Sequence, residues 1–482
     1  MTTHQLFVSG LRWVATGKLS SQLISWVGTI YVMRTLAPED YGLAAICSAI
    51  IAVVSLVAEF GIGASIIQAK TLEREQLRSI FGASLIFFFT AAAAVVLAAP
   101  LLAWFFRAPA SITLIQVSAL HLVLAPLAAM PSALLRRDLR FRSTSVIEFT
   151  VAVSASLSTV ALAWRGAGVW SVVLGPLVGA LVSVLMLNLL APQKLSPSFD
   201  LRPAKGMIGF GFTVALSRIA NFVFGQSDFL IAGRTLTSSA LGEYSVAMQL
   251  AMLPVSKAMG IVNQVIFPTI SRMNHAGQNM RPLLLDSLRL AGYVIVPLLW
   301  GMAVISPWLI PALIGPQWKN VVLPLQIVCL VLPLRLISVL LSSVLQGMGL
   351  VRLELRNTMT GVILLPLCFL VGAQFGTPGL AFSWLVGLPL LVALNLRRAH
   401  QALGISLLDA MRALSKPLGC SALMVCSVGL MGYWSEPYLP SWATLVLMVV
   451  SGLFIYLSLL WRLDPASADK LLSLVRLQSE SD

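Results

Sequence analysis

RTLAPEDYG, residues 34–42, recurs two hundred residues later as RTLTSSALG, residues 234–242, with the Arg, Thr, Leu and final Gly in register. Each copy follows an apolar segment long enough to form a helix. Upstream, Lys18 matches Arg218, so each copy also has a cation in the helix that precedes it. These matches predict that the chain is an internal duplication of a helical bundle.

The composition places this bundle in a membrane. Hydrophobic residues make up 58% of the 482 residues, charged residues only 10%, and the mean hydropathy is +0.91. A helix crosses a bilayer with about 20 apolar residues, and windows of that length predict an all-α, polytopic membrane protein of about 14 transmembrane helices. The predicted spans lie near residues 11–35, 42–68, 79–106, 111–135, 143–165, 167–190, 207–233, 240–271, 283–306, 320–346, 356–376, 378–396, 413–434 and 441–461.

The duplication also predicts how the spans are grouped. Six spans map onto six, and an even number per unit preserves their orientation, so two six-helix lobes should form a parallel pseudo-twofold repeat. The predicted domains are an N-terminal lobe over residues 1–195 (spans 1–6) and a C-terminal lobe over residues 196–400 (spans 7–12). Residues 401–482 supply two further helices and a cytoplasmic amphipathic tail.

Basic residues predict the orientation. Of the 32 Lys and Arg residues, 23 lie in the N-terminal leader, the loops after even-numbered spans and the tail, against five after odd-numbered spans. Because basic loops stay cytoplasmic, both termini should be cytoplasmic. The net charge of +14 then reflects topology and attraction to anionic membrane lipids, and no nucleic-acid partner is expected.

The chemistry that stands out is a set of polar stripes on apolar helices. In the seventh span Arg218, Asn221 and Asp228 share one helical face, and a charge at a helix centre in the bilayer costs about 2.5–3.5 kcal/mol. Such residues should line an aqueous cleft between the lobes. Two groups of site residues follow: substrate binding for Lys18, Gln22, Arg218, Asn221, Lys257 and Arg335, and ion coupling for Glu59 and Asp228.

Other roles for these charges stay open at this point. Lys18 has the length to reach the cytoplasmic interface, Glu59 and Lys257 form a pair of opposite charge across the two halves, and Arg335 suits a structural contact with a backbone carbonyl.

Cations outnumber carboxylates in the set, which favours an anionic passenger, and Arg and Lys are natural partners of phosphate. Interrupting prolines, among them Pro126, Pro254, Pro297, Pro333 and Pro366, are expected to bend helices.

Three segments carry a resemblance to a known family. RTLAPEDYG at 34–42, EFGIGASIIQ at 59–68 and RRDLRFR at 136–142 resemble the polysaccharide transporter family, the Wzx-type flippases of the multidrug/oligosaccharidyl-lipid/polysaccharide exporter superfamily, in its exopolysaccharide branch. The resemblance implies a protein of the bacterial inner membrane whose two lobes open alternately. In the related lipid II flippases, two extra C-terminal helices form a groove for the lipid tail.

The same resemblance implies the substrate and partners. The passenger is an undecaprenyl-diphosphate-linked oligosaccharide repeat unit, carried from the cytoplasmic to the periplasmic leaflet, and lumen cations hold its diphosphate; here they would be Lys18, Arg218, Lys257 and Arg335. A polysaccharide polymerase and a chain-length regulator are partners of such a pathway. No cofactor is implied, and the choice between H⁺ and Na⁺ coupling stays open.

Two other functions compete with this one. A small-molecule or cation antiporter of the multidrug branch should have an acidic cleft, whereas the cleft predicted here is cationic. A membrane glycan polymerase usually has a large periplasmic loop with catalytic residues, and the connections between the predicted spans are short. The sequence therefore predicts a flippase with no catalytic residues and no metal site, not an enzyme.

Overall fold

The computed structural model describes residues 20–22, 24–58, 73–138, 140–190, 196–202, 225–275 and 279–480. Helices dominate these ranges, and none of the described residues is in a β-strand. Up to residue 202 the helices are α1 (residues 24–35), α2 (Pro38–Ala58), α3 (Arg74–Phe105), α4 (Ser111–Ser118), α5 (Leu120–Arg137), α6 (Phe141–Trp164) and α7 (Val169–Leu190).

The remaining described helices lie after residue 225. They are α8 (Ser227–Thr235), α9 (Ser238–His275), α10 (Arg281–Leu313), α11 (Val322–Val331), α12 (Arg335–Gly347), α13 (Val351–Gly372), α14 (Gly376–Leu403), α15 (Leu407–Ser435), α16 (Ser441–Leu463) and α17 (Pro465–Glu480). Short 3₁₀ turns at Pro316–Val321, Leu332–Leu334 and Ala373–Phe375 connect some of them.

Ten stretches of the described chain are helical, long and apolar enough to cross a bilayer. This confirms the all-α, polytopic membrane class. The count of fourteen spans and the repeat of two six-helix lobes stay predictions, because the predicted spans 11–35 and 207–233 lie partly outside the described residues. The three predicted domains likewise stay a prediction.

Helix α2 begins earlier than its apolar window suggested, at a charged turn. The second predicted span was placed at 42–68, but α2 begins at Pro38, with Glu39 and Asp40 in its first turn. The Asp40 carboxylate accepts a hydrogen bond from the backbone N–H of Ala37 (3.3 Å). Proline in the first turn and acidic residues near the positive end of the helix dipole both favour a start here, although they lower the local hydropathy.

The tenth span, predicted as one helix over 320–346, is broken. A 3₁₀ turn at Leu332–Leu334 separates α11 from α12, and it contains Pro333. Proline has no backbone N–H and its ring clashes with the preceding turn, so the α-helical hydrogen bonds stop there. The break puts Arg335 at the first position of α12.

The structure divides into two compact units, residues 1–226 with 237–242, and residues 227–236 with 243–481. In the first unit the repeated glycines of the duplicated segment lie where backbones touch. A Cβ atom on Gly42 would lie 1.8 Å from the carbonyl oxygen of Ser238, and one on Gly242 would lie 1.9 Å from that of Pro38. The first turns of α2 and α9 therefore approach too closely for any side chain at these positions.

In the second unit the last three helices are tied to α10. The Asp464 carboxylate accepts a hydrogen bond from the Tyr293 hydroxyl (2.9 Å), and the Tyr456 hydroxyl donates to the Tyr293 carbonyl oxygen (2.6 Å). Ion pairs add to this connection: Lys416–Asp464 (3.6 Å), Lys470–Asp286 (3.4 Å) and Arg281–Asp409 (3.1 Å). The helices after residue 401 therefore brace α10.

Candidate functional site

The predicted site residues fall into three groups. Lys18, Glu59, Arg218 and Asn221 lie outside the described residues. Lys257 belongs to α9, but its side chain also lies outside them. Gln22, Asp228 and Arg335 are described, Gln22 half-buried in the first unit and the other two in the second.

Asp228 is a buried carboxylate held by a tyrosine. It lies in the first turn of α8, and its side chain is only 5% exposed. The Tyr244 hydroxyl donates a hydrogen bond to its Oδ2 atom at 2.7 Å. A buried carboxylate is costly unless it is hydrogen-bonded, so Tyr244 is the group that makes this position tenable.

Tyr244 in turn accepts a hydrogen bond from Trp384. The indole Nε1 of Trp384, on α14, lies 3.0 Å from the Tyr244 hydroxyl oxygen. Both rings are buried, and the Phe369 ring packs on the indole with centroids 5.1 Å apart. Because indole N–H donates only and carboxylate accepts only, the hydrogen bonds run in one direction, from Trp384 through Tyr244 to Asp228.

Arg335 completes this cluster, with its guanidinium over the Trp384 ring. Its guanidinium carbon lies 5.9 Å from the centroid of the Trp384 ring, a cation–π distance, and its Nη1 contacts the Met252 sulfur at 3.7 Å. Arg335 and Asp228 interact electrostatically, although the two described side chains form no direct ion pair. We call Asp228, Tyr244, Trp384 and Arg335 the buried polar cluster.

Sequence reasoning found the two charges of this cluster and missed its two aromatic residues. Tyr244 and Trp384 lie in apolar helices, where aromatic side chains usually signal packing. One signal for Tyr244 was available: Asp228 and Tyr244 are equally distant in sequence from the corner at Leu236 between α8 and α9. When two consecutive helices fold back on each other, residues at equal distances from the corner between them lie side by side. No comparable signal marks Trp384, which is 140 residues from Tyr244.

A second buried carboxylate lies beside Tyr244. Glu243 is 7% exposed, and Asn320, in the 3₁₀ turn before α11, donates its side-chain amide to Glu243 Oε1 at 3.0 Å. Glu243 lies near the start of α9 among polar residues, where a carboxylate does not stand out in the sequence. Asp228 and Glu243 thus each accept a hydrogen bond from a neutral donor.

The sequence matches the family of polysaccharide biosynthesis proteins over residues 31–323, more than half of the chain. Lipopolysaccharide biosynthesis protein WzxC of Escherichia coli (strain K12) is 24% identical over 389 residues, which cover 80% of this chain and 79% of that protein. Teichuronic acid biosynthesis protein TuaB of Bacillus subtilis (strain 168) is 25% identical over 478 residues, 98% of either chain.

The fold also matches a solved structure. Lipid II flippase MurJ, in its inward closed conformation, superposes with a TM-score of 0.74 at 12% identity, covering 93% of this chain and 98% of that one. At this identity the likeness concerns the fold alone. The chain belongs to the family of polysaccharide biosynthesis proteins and is a multi-pass membrane protein with the fold of MurJ.

Proposed function

We propose that this protein is a flippase for undecaprenyl-diphosphate-linked oligosaccharide repeat units. It moves them from the cytoplasmic to the periplasmic leaflet of the bacterial inner membrane, with both of its termini cytoplasmic, for exopolysaccharide or O-antigen assembly. The observation that carries the proposal is the family match over residues 31–323. It is supported by relatives named for lipopolysaccharide and teichuronic acid biosynthesis and by a fold shared with a lipid II flippase.

Within this function, cations bind the diphosphate of the passenger. Lys18, Arg218, Lys257 and Arg335 are the proposed cations, and Gln22 and Asn221 the neutral hydrogen-bond donors that accompany them. Two adjacent phosphates present several anionic oxygens, which suit bidentate arginine and the point charge of lysine. The polyprenyl tail stays in the lipid, and alternating access of the two lobes carries the head group across.

The surroundings of Arg335 support its role. A guanidinium has five N–H donors, and among the described residues only the weakly accepting sulfur of Met252 contacts one of them. The Trp384 ring lies at a cation–π distance from the guanidinium and does not accept a conventional hydrogen bond from it. Arg335 is thus positioned by aromatic packing and keeps its hydrogen-bonding capacity for an anionic ligand.

Asp228 and Glu59 are the proposed groups for coupling to H⁺ or Na⁺. Tyr244 donates to Oδ2 of Asp228, and a carboxylate has further lone pairs that can accept a proton or a metal ion. Binding of that cation would alter the balance of charge between Asp228 and Arg335, which interact electrostatically. The coupling ion and the passenger would then act on one cluster.

Reconstitution tests the proposed substrate. Purified protein in vesicles should move a fluorescent undecaprenyl-diphosphate-linked oligosaccharide between leaflets, whereas protein-free vesicles should not. A cationic drug offered to the same vesicles should not be transported. Drug transport without movement of the lipid-linked oligosaccharide would favour the antiporter. In cells, co-purification of the polymerase and the chain-length regulator tests the proposed partners.

A further inference from the structure

A cavity of about 150 Å³ lies between α5, α6 and α7 in the first unit. Its apolar wall includes Leu135 and Leu187, and its polar groups are one carboxylate and three hydroxyls. A cavity needs only about 10–15 Å³ of such volume to hold one water molecule, so the space is large enough for a small polar group. The polar residues that line it are Ser132, Thr144, Glu148 and Ser183.

The Glu148 carboxylate is unusual for its location. It lies within the apolar span Arg142–Trp164, yet among the described residues no donor or cation contacts it, and its side chain is exposed. Carboxylates inside transmembrane segments are rare and almost always meet a partner or water. Glu148 is thus available to a cationic partner from outside the described part of the protein.

The surroundings of Glu148 indicate the side from which a partner can reach its carboxylate. Helix α6 belongs to the least buried of the candidate spans, with only 11% of its apolar window inside the protein. Val146 and Phe149, neighbours of Glu148, are exposed apolar side chains, as expected of a helix that faces lipid. Glu148 thus lies beside exposed apolar side chains of α6, a surface that suits contact with lipid.

The depth of Glu148 fits the head-group layer. It lies six residues after Arg142, about 9 Å along the helix at roughly 1.5 Å per residue. Helical side chains tilt towards the N-terminus of their helix, which brings the carboxylate back towards the membrane surface. Each interfacial layer of a bilayer is about 5–8 Å thick, so a lipid head group can reach this carboxylate.

The positions of the second unit that match this cavity in the sequence hold a carboxylate that is hydrogen-bonded. At the offset of 210 residues that relates Arg142 to Arg352, Ser132 matches Ser342 and Thr144 matches Glu354. There the Ser342 hydroxyl donates to Glu354 Oε1, and Gln346 donates to Ser342 at 3.1 Å. The carboxylate of the second repeat is thus satisfied within the protein, whereas that of the first is open to a ligand.

We propose that this cavity binds the primary ammonium head group of an amine lipid of the phosphatidylethanolamine class. A primary ammonium has three N–H donors and no acceptor, which match one carboxylate and neighbouring hydroxyl oxygens. A quaternary choline head group has no N–H to donate, and an anionic head group is repelled by Glu148. This site does not depend on the proposed transport function.

Native mass spectrometry of the full-length protein with defined lipids tests the proposal. Dipalmitoleoyl phosphatidylethanolamine, phosphatidylcholine and phosphatidylglycerol are added separately to wild type, Glu148→Gln and Glu354→Gln. Wild type and Glu354→Gln should retain the ethanolamine lipid in preference to the choline lipid. In Glu148→Gln that preference should fall about tenfold, as expected for loss of a charge-assisted hydrogen bond.

Three outcomes would overturn the proposal. The first is equal retention of the ethanolamine lipid by wild type and Glu148→Gln. The second is equal retention of the ethanolamine and choline lipids by wild type. The third is displacement of the lipid by low millimolar sodium but not by choline at equal ionic strength, which would assign the site to the free ion.

If Glu148→Gln does not fold, Glu148→Asp and the double variant Ser132→Ala/Ser183→Ala replace it. Glu148→Asp should keep the preference for the ethanolamine lipid, and the double variant should lose it. The reverse pattern also contradicts the proposal.

Discussion

Tyr244 donates its hydroxyl hydrogen to Asp228 across 2.7 Å, and both side chains are buried in the second unit. Tyr244→Phe removes this donor and leaves the packing of the ring in place. An unsatisfied buried acceptor costs about 1–3 kcal/mol, so we expect the variant to unfold at a lower temperature in detergent. Tyr433→Phe serves as the control, because Tyr433 is 74% exposed, and it should unfold like wild type. Identical melting of all three proteins would show that the bond contributes nothing to stability.

Asp228→Asn tests ion coupling. The amide oxygen of asparagine can still accept the Tyr244 hydrogen, but the position no longer carries charge or takes up a proton. We expect flipping in reconstituted vesicles to lose its response to an imposed H⁺ or Na⁺ gradient, while the structure is kept. Glu59→Gln, assayed in parallel, tests the other proposed coupling residue. An unchanged gradient response in Asp228→Asn would exclude Asp228 from coupling.

The spans were the most predictable part of this protein. Their apolar content alone identifies them, because a bilayer demands long apolar helices with internally satisfied backbones. Helix ends were less predictable. The turn Pro38–Glu39–Asp40 starts α2 through proline geometry and charge, but its low hydropathy predicts a loop. The break at Pro333 was foreseen as a bend but not as the end of a helix.

The candidate site was predictable only in its charges. Asp228 and Arg335 stand out because ionised groups are rare in apolar helices. Their connection through Tyr244 and Trp384 depends on α9 and α14 meeting in space, and no local pattern encodes a contact between residues 140 positions apart. The glycines of the repeat illustrate the opposite case, since Gly42 and Gly242 were recognised from the sequence and their close backbone contacts explain them.

Those contacts give a prediction on stability. Gly42→Ala and Gly242→Ala each place a methyl group within 2 Å of a carbonyl oxygen, so the backbones must move apart. Overpacking of this kind typically costs about 1–3 kcal/mol, and we expect a lower melting temperature for both variants. Gly419→Ala is the matched control, because a Cβ there meets no atom within 4 Å. Melting of Gly42→Ala at the temperature of the control would contradict the close approach.

Asp464 makes the brace of the last helices sensitive to acid. Burial alone would raise the pKa of Asp464, but hydrogen bonds from Ser467 and Tyr293 and the charge of Lys416 outweigh it and hold the pKa below its usual value. A carboxylate with a lowered pKa stabilises the fold at any pH above the pKa of an ordinary carboxyl group. This contribution is lost as the pH falls through the lowered pKa. We expect wild type to lose more stability than Asp464→Asn between neutral pH and pH of about 3. Parallel losses in thermal unfolding would contradict this role.

Flipping by charge variants shows whether cations of the predicted membrane spans bind the diphosphate of the passenger. Vesicles with equal amounts of wild type, Arg218→Ala, Arg335→Ala or Arg397→Ala are supplied with a fluorescent undecaprenyl-diphosphate-linked oligosaccharide. Arg397 is an exposed arginine near the end of α14, so Arg397→Ala should flip the lipid as wild type does. We expect flipping to be abolished in Arg218→Ala and reduced at least about tenfold in Arg335→Ala, as for loss of a charge-assisted contact. Transport at the wild-type rate by both variants would contradict it.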